Sequence, residues 1–125
     1  MFDHLSVGVR DLDQARRFYD AFLAPLGHAA SSATALELAY GPSGMGGQFY
    51  LYPVSGERVA GLGTHIAFSA DSRTAVDAAY AAALAAGAES VRAAGPHPDI
   101  APDYYGCVLF DLDGNKLEIV AGRMH

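Results

Sequence analysis

The chain has 125 residues, 51% of them hydrophobic and 18% charged, which fits one compact domain or two small fused halves and excludes an extended disordered chain. Eight Lys and Arg stand against fourteen Asp and Glu, a net charge of -6 that disfavours nucleic acid and anionic membrane surfaces as partners. No apolar run approaches the roughly 20 residues of a membrane-spanning helix.

Met1 leads almost directly into strand-like sequence, so no signal peptide is expected. Residues 2–10 alternate, with Leu5, Val7 and Val9 on one face and His4, Ser6 and Gly8 on the other, which predicts a strand. Asp11 and Asp13 offer caps to a helix whose apolar positions run through Leu12, Ala15, Phe18, Tyr19, Phe22, Leu23 and Leu26. Gly27 can close it, and Pro25 is expected in its last turn, because a mid-helix proline would break it. Strands are expected around 34–40 and 47–53, joined by the glycine-rich segment from Gly41 to Gly47. That segment lacks the Lys-Ser/Thr ending of a phosphate loop. Ser43 is no nucleophile elbow, since Met45 stands where the second glycine belongs.

The pattern then begins again. His65, Ala67 and Ser69 alternate with Ile66, Phe68 and Ala70, and Asp71 or Ser72 caps a second helix through Val76, Tyr80, Ala83 and Leu84 to Gly87. Strands follow near 89–93, 105–111 and 115–121, the last two joined by the tight Asp111-Leu-Asp-Gly-Asn turn. That turn opens like a calcium loop, but the required glutamate would fall at Gly122. Cys107 is the one cysteine, so no intrachain disulfide can form; it reads as a small core residue, and a reducing, cytoplasmic setting is expected.

His65 follows His4 by 61 positions, and each opens a strand with small residues on its own face and large apolar ones opposite. The large residues belong under the following helix, while the small ones leave room beside the histidine. The closing strands also correspond, Gln48-Phe-Tyr50-Leu to Lys116-Leu-Glu118-Ile. Each half therefore reads as a βαβββ module, the first over 1–56 and the second over 62–122 of a single domain. The expected fold is α+β, two such modules whose curled mixed sheets surround a central cavity. His4, His65 and Glu118 then project from strands onto faces free of helices. Two imidazoles and a carboxylate are the ingredients of a facial triad that keeps coordination positions open.

Phe2-Asp-His4-Leu-Ser-Val-Gly-Val-Arg-Asp-Leu, Phe18-Tyr19, Gly63-Thr-His65-Ile-Ala-Phe and Asp111-Leu-Asp-Gly-Asn-Lys-Leu-Glu118-Ile-Val resemble the vicinal oxygen chelate superfamily over nearly the whole chain. That group contains glyoxalase I, extradiol dioxygenases, fosfomycin-resistance transferases and bleomycin-resistance proteins. The resemblance implies that His4, His65 and Glu118 are ligands of a divalent metal ion, with Mn, Fe, Ni, Co and Zn all chemically permissible. It also implies a homodimer whose cavities are completed across subunits, with Glu118 either a ligand throughout or loosening to move a proton. A second carboxylate, present in glyoxalase I types, is missing: Tyr50 holds its position and Gln48 lies on the same face two residues earlier. Which of the two takes a fourth ligand position stays open.

The activity so implied is a metal-dependent lyase or isomerase that stabilises an enolate-like anion on a small oxygenated molecule. An extradiol-type Fe(II) dioxygenase, a thiol transferase of the fosfomycin-resistance type and a non-catalytic drug binder of the bleomycin-resistance type are the alternatives. Tyr50, Tyr52, Tyr104 and Tyr105 could line a substrate pocket together with Gln48, the competing reading being ordinary packing. Arg10, Arg92 and Arg123 are the candidate anion-binding groups for a thiol cosubstrate. His28 reads as a surface cap, His97 as a loop residue able to cover a pocket, and His125 has no readable role.

Overall fold

The computed structural model of the chain describes residues 2–42, 47–57, 59–61 and 63–122. In chain order the elements are β1 (Leu5–Val9), α1 (Leu12–Leu23), a 3-10 turn (Ala24–Leu26), β2 (Ala29–Ala33), β3 (Leu38–Gly41) and β4 (Phe49–Pro53). The second half repeats them as β5 (His65–Ala70), α2 (Arg73–Ala85), β6 (Glu89–Pro96), β7 (Tyr105–Phe110) and β8 (Lys116–Ala121). The strands form two four-stranded sheets in the orders β1-β4-β3-β2 and β5-β8-β7-β6. In each, the first strand runs parallel to the last and the remaining pairs are antiparallel, so both sheets are mixed.

Local chemistry sets the helix ends. Asp11 caps α1, its side chain accepting from the backbone N–H groups of Asp13 and Gln14, and Ser72 does the same for α2 through Ala75. Pro25 falls in the 3-10 turn, and Gly27 ends it in the left-handed region at φ 85, where a Cβ would be strained. One element departs from expectation: β2 lies at Ala29–Ala33, and the strand expected around 34–40 shortens to Leu38–Gly41. The segment Ala-Ala-Ser-Ser-Ala has no β-branched or aromatic residue, so its strand character comes from pairing with β3 rather than from propensity. The loop candidates Ser43 and Met45, and Arg123 and His125 at the end, lie outside the described residues.

The core occupies the helix-covered faces. Phe18, Tyr19, Phe22 and Leu23 of α1 bury against Tyr40, Phe49 and Leu51, while Val76, Ala79 and Ala83 of α2 bury against Cys107, Leu109, Leu117 and Ile119. The two halves share one core. The Phe68 ring of β5 lies 5.6 Å from Phe22 and 5.3 Å from Phe49, edge-on to both. A buried polar knot ties them a second time. Asp111 accepts from Tyr19 Oη at 2.7 Å and from the Asn115 side-chain amide at 2.8 Å. The same Asn115 amide donates to the Gly8 carbonyl at 3.0 Å.

Candidate functional site

Period-two alternation leaves each sheet a face without a helix. On β5 and β8 that face carries His65, Ala67, Ser69, Lys116, Glu118 and Val120, while Ile66, Phe68, Leu117 and Ile119 turn to the core. His65 Nε2 and Glu118 Oε2 approach to 3.3 Å across this parallel pair. Half of the imidazole is exposed, whereas the carboxylate side chain is only 12% exposed. The other carboxylate oxygen, Oε1, accepts from Tyr104 Oη at 2.8 Å. Burial first, then the adjacent Glu118 carboxylate, raises the Tyr104 phenol well above its ordinary range and keeps it a proton donor.

The matching face of the first sheet carries His4, Ser6, Gly8, Tyr50 and Tyr52. His4 meets Tyr50 edge to face at 5.5 Å and pairs through Nδ1 with Asp3 at 2.6 Å. Tyr50 and Tyr52 stack nearly parallel at 6.2 Å. The strand registers make the two faces comparable. Tyr50 sits opposite Ser6 as Glu118 sits opposite Ala67, so Tyr50 occupies the position of the second half's carboxylate. The space expected above Gly8 is taken: a Cβ there would stand 2.7 Å from Val54 Cγ2.

Of the predicted site residues, the fold brings together His65, Glu118 and Tyr104 in one half and His4, Tyr50 and Tyr52 in the other. Among the described residues of one chain, no three His, Cys, Asp or Glu side chains gather closely enough to hold an ion. Tyr105 stands apart from its neighbour Tyr104. Strand alternation turns it to the helix side, where its hydroxyl donates to Asp77 of α2 at 2.6 Å and Arg73 lies 4.9 Å from its ring centroid. Tyr52 Oη donates to Glu37 at 3.2 Å. Gln48 is exposed just before β4, and its backbone bonds Leu5 and Tyr40. Arg10 and Arg92 are already engaged, by Asp113 at 3.3 Å and by both oxygens of Asp99 at 2.8 and 3.1 Å.

Two placements were not legible in the sequence. Tyr104 reaches Glu118 rather than an open pocket, a contact that requires knowing how β7 lies beside β8. His28 is half-buried instead of a surface cap, with Nδ1 enclosed and without a partner among the described residues. It lines a mostly apolar cavity of about 170 Å³ with Leu5, Gln48, Phe49, Ala67 and Phe68, which reaches the β5 strand that carries His65.

The model of the Glyoxalase/Bleomycin resistance protein/Dioxygenase superfamily matches residues 1–119. The chain belongs to this superfamily. Its fold is similar to that of a glyoxalase/bleomycin resistance protein from Albidiferax ferrireducens T118, at 32% identity and TM-score 0.84 over 98% of this chain and 99% of that one. A glyoxalase-related enzyme from Fulvimarina pelagi is similar at 20% identity and TM-score 0.75, covering 98% and 88%. The fosfomycin resistance protein FosX from Listeria monocytogenes shares the fold at 18% identity and TM-score 0.72, covering 99% and 94%. No curated protein matches the chain. Superfamily membership accounts for the duplicated βαβββ plan and for paired sheets that do not close into a barrel. No helix among the described residues is long and apolar enough to cross a membrane.

Proposed function

We propose that the chain is a divalent-metal-dependent enzyme acting on a small oxygenated molecule, with His65 and Glu118 as two of the ligands. The observation that carries this is their 3.3 Å separation on adjacent strands. Two donors each about 2.0–2.2 Å from one ion, at angles between a right angle and the tetrahedral value, lie roughly 3 Å apart. An imidazole nitrogen and a carboxylate oxygen also form a donor set that first-row divalent ions accept. His4 is the third ligand, supplied by a second copy of the chain, because its own sheet keeps it from the pair. The site therefore calls for a homodimer.

When bound, the cation supplies Lewis-acid stabilisation of an enolate-like anion. The chain supplies the rest. His65 and Glu118, rooted on strands, fix the direction of binding. Tyr104 remains protonated beside Glu118. The flat Tyr50–Tyr52 stack offers an apolar wall against which a substrate could lie. Tyr105, engaged on the helix side, is no part of that pocket. A lyase or isomerase reaction suits this set, and loading with Fe(II) would extend it to ring-cleaving dioxygenation. Engagement of Arg10 and Arg92 by aspartates leaves those two poorly placed to hold an anionic thiol cosubstrate. The lone buried Cys107 accords with work in a reducing, cytoplasmic setting.

Metal content of protein purified without chelator tests the reading. Near-stoichiometric metal is expected, lost in His65→Ala while the circular dichroism spectrum is retained. Activity of the loaded protein against hemithioacetals, catechols and fosfomycin with thiol then separates the reaction classes. One observation favours a second reading, a non-catalytic binder of an aromatic compound: the Tyr50–Tyr52 stack would serve such a ligand with no ion at all. Protein that takes up no metal even on reconstitution, yet binds an aromatic cationic drug, would establish that reading and overturn the first.

A further inference from the structure

Glutamate reaches its target through a flexible stem, and the torsion that turns its carboxylate is broad, so an unsupported Glu118 would present its two oxygens interchangeably. In this chain it is supported. Tyr104 is 4% exposed, and its hydroxyl takes Oε1 at 2.8 Å while Oε2 faces His65.

The ring reaches that far only because of its neighbour. Tyr104 lies over Gly106, where a Cβ would come within 2.6 Å of the phenol oxygen and 2.3 Å of the Ile119 carbonyl oxygen. Any side chain at position 106 would therefore displace the tyrosine or part β7 from β8. The loop before it is stapled as well. Arg92 grips Asp99 through two hydrogen bonds, His97 Nε2 lies 2.8 Å from the Ala93 carbonyl, and the His97 ring packs 5.8 Å from that of Tyr104. The backbone closes the loop at both ends, Tyr104 N–H donating to Ala101 at 3.1 Å and His97 N–H to the Tyr104 carbonyl at 3.3 Å. Among its described residues the first half shows no such device at the matching place. Glu37, the residue just before β3 as Tyr104 is just before β7, instead accepts from Tyr52.

We propose that Tyr104 is a positioning residue, whose hydroxyl fixes one oxygen of Glu118 so that the other is presented, already oriented, beside His65. The inference rests on the reading of His65 and Glu118 as metal ligands. Removing an outer partner that orients a ligand typically weakens metal binding by roughly 10–100-fold.

Cobalt(II) is a suitable probe, because its visible absorption reports ligand geometry as well as affinity. Wild type, Tyr104→Phe and Glu118→Ala would be titrated with Co(II) as intact protein, with circular dichroism confirming that each is folded. Expected are an affinity for Tyr104→Phe lower by roughly 10–100-fold and a shifted visible band. An affinity and band equal to wild type would overturn the positioning role while leaving the metal reading intact. Wild-type binding that survives Glu118→Ala, or no binding by wild type, would overturn the metal reading and this inference with it. Crystal structures of the metal-free proteins give a second readout. In Tyr104→Phe, Oε2 should leave its 3.3 Å approach to His65, and an unchanged carboxylate would sink the proposal.

Discussion

Cys107 lies on β7 beside Gly106, wholly enclosed by the core of the second half. Burial, reinforced by the charges of Glu118 and Asp77, pushes its thiol up to about 12. In the unfolded chain the thiol ionises near 8.5, so above that pH the unfolded state loses a proton that the native state retains. Stability from the neutral thiol is therefore complete below about pH 8.5 and is lost as pH rises towards the folded value. Between pH 8 and 10 the stability advantage of wild type over Cys107→Ala should shrink by about 2 kcal/mol, read from urea denaturation at the two pH values. A constant difference would mean that the thiol ionises freely in the fold. At this scale the sequence was informative where period two governed. It placed His65 and Glu118 on helix-free faces and read Cys107 as a core residue, but it grouped Tyr104 with Tyr105, which adjacent strand positions must separate. No pattern in the chain announced that Gly106 makes room for the Tyr104 ring, because a close approach between strands leaves no trace in periodicity.

The turn between β7 and β8 reads in the sequence as an ordinary hairpin, yet it is also the joint between the halves. Asp111 is 5% exposed and accepts four hydrogen bonds, from Tyr19 Oη, from the backbone of Asp113 and Asn115, and from the Asn115 side chain. Burial first, then the Asp111 charge, raises the Tyr19 phenol well above the ordinary range. Asp111→Ala would leave the Tyr19 hydroxyl and the Asn115 amide with fewer partners in a dry site, at about 2–4 kcal/mol. A urea midpoint lowered by that amount is expected, whereas Tyr19→Phe, which removes the donor and spares the turn, should cost less. Helix starts were legible because Asp11 and Ser72 cap them in the ordinary way. Strand β2 was not, because Ala29–Ala33 carries no strand-forming side chains and depends on its neighbour.

Over the whole molecule, the duplicated plan was legible because both halves repeat the same alternation and helix spacing. The relation between the halves was not, since Phe68 meets Phe22 and Phe49 through tertiary packing that no local periodicity encodes. The same geometry keeps His4 on one sheet and the His65–Glu118 pair on the other, which is why the proposed site requires two copies. Mixing His4→Ala chains with Glu118→Ala chains tests it. Random exchange in a two-fold dimer should restore about a quarter of the wild-type metal capacity, since each mixed dimer holds one intact site. Sedimentation would report the dimer itself. No recovery, from parents shown to exchange subunits, would rule out the shared arrangement.

Tyr50 and Glu118 are one seat with two different guests, as the matching rungs at Ser6 and Ala67 establish. A chain built this way has given up the symmetry of its own duplication: one half brings an anion, the other an arene and a phenolic oxygen. In the proposed pairing of copies, each chamber is therefore walled unlike on its two sides. A lopsided guest, oily at one end and rich in oxygen at the other, suits it better than a symmetrical one.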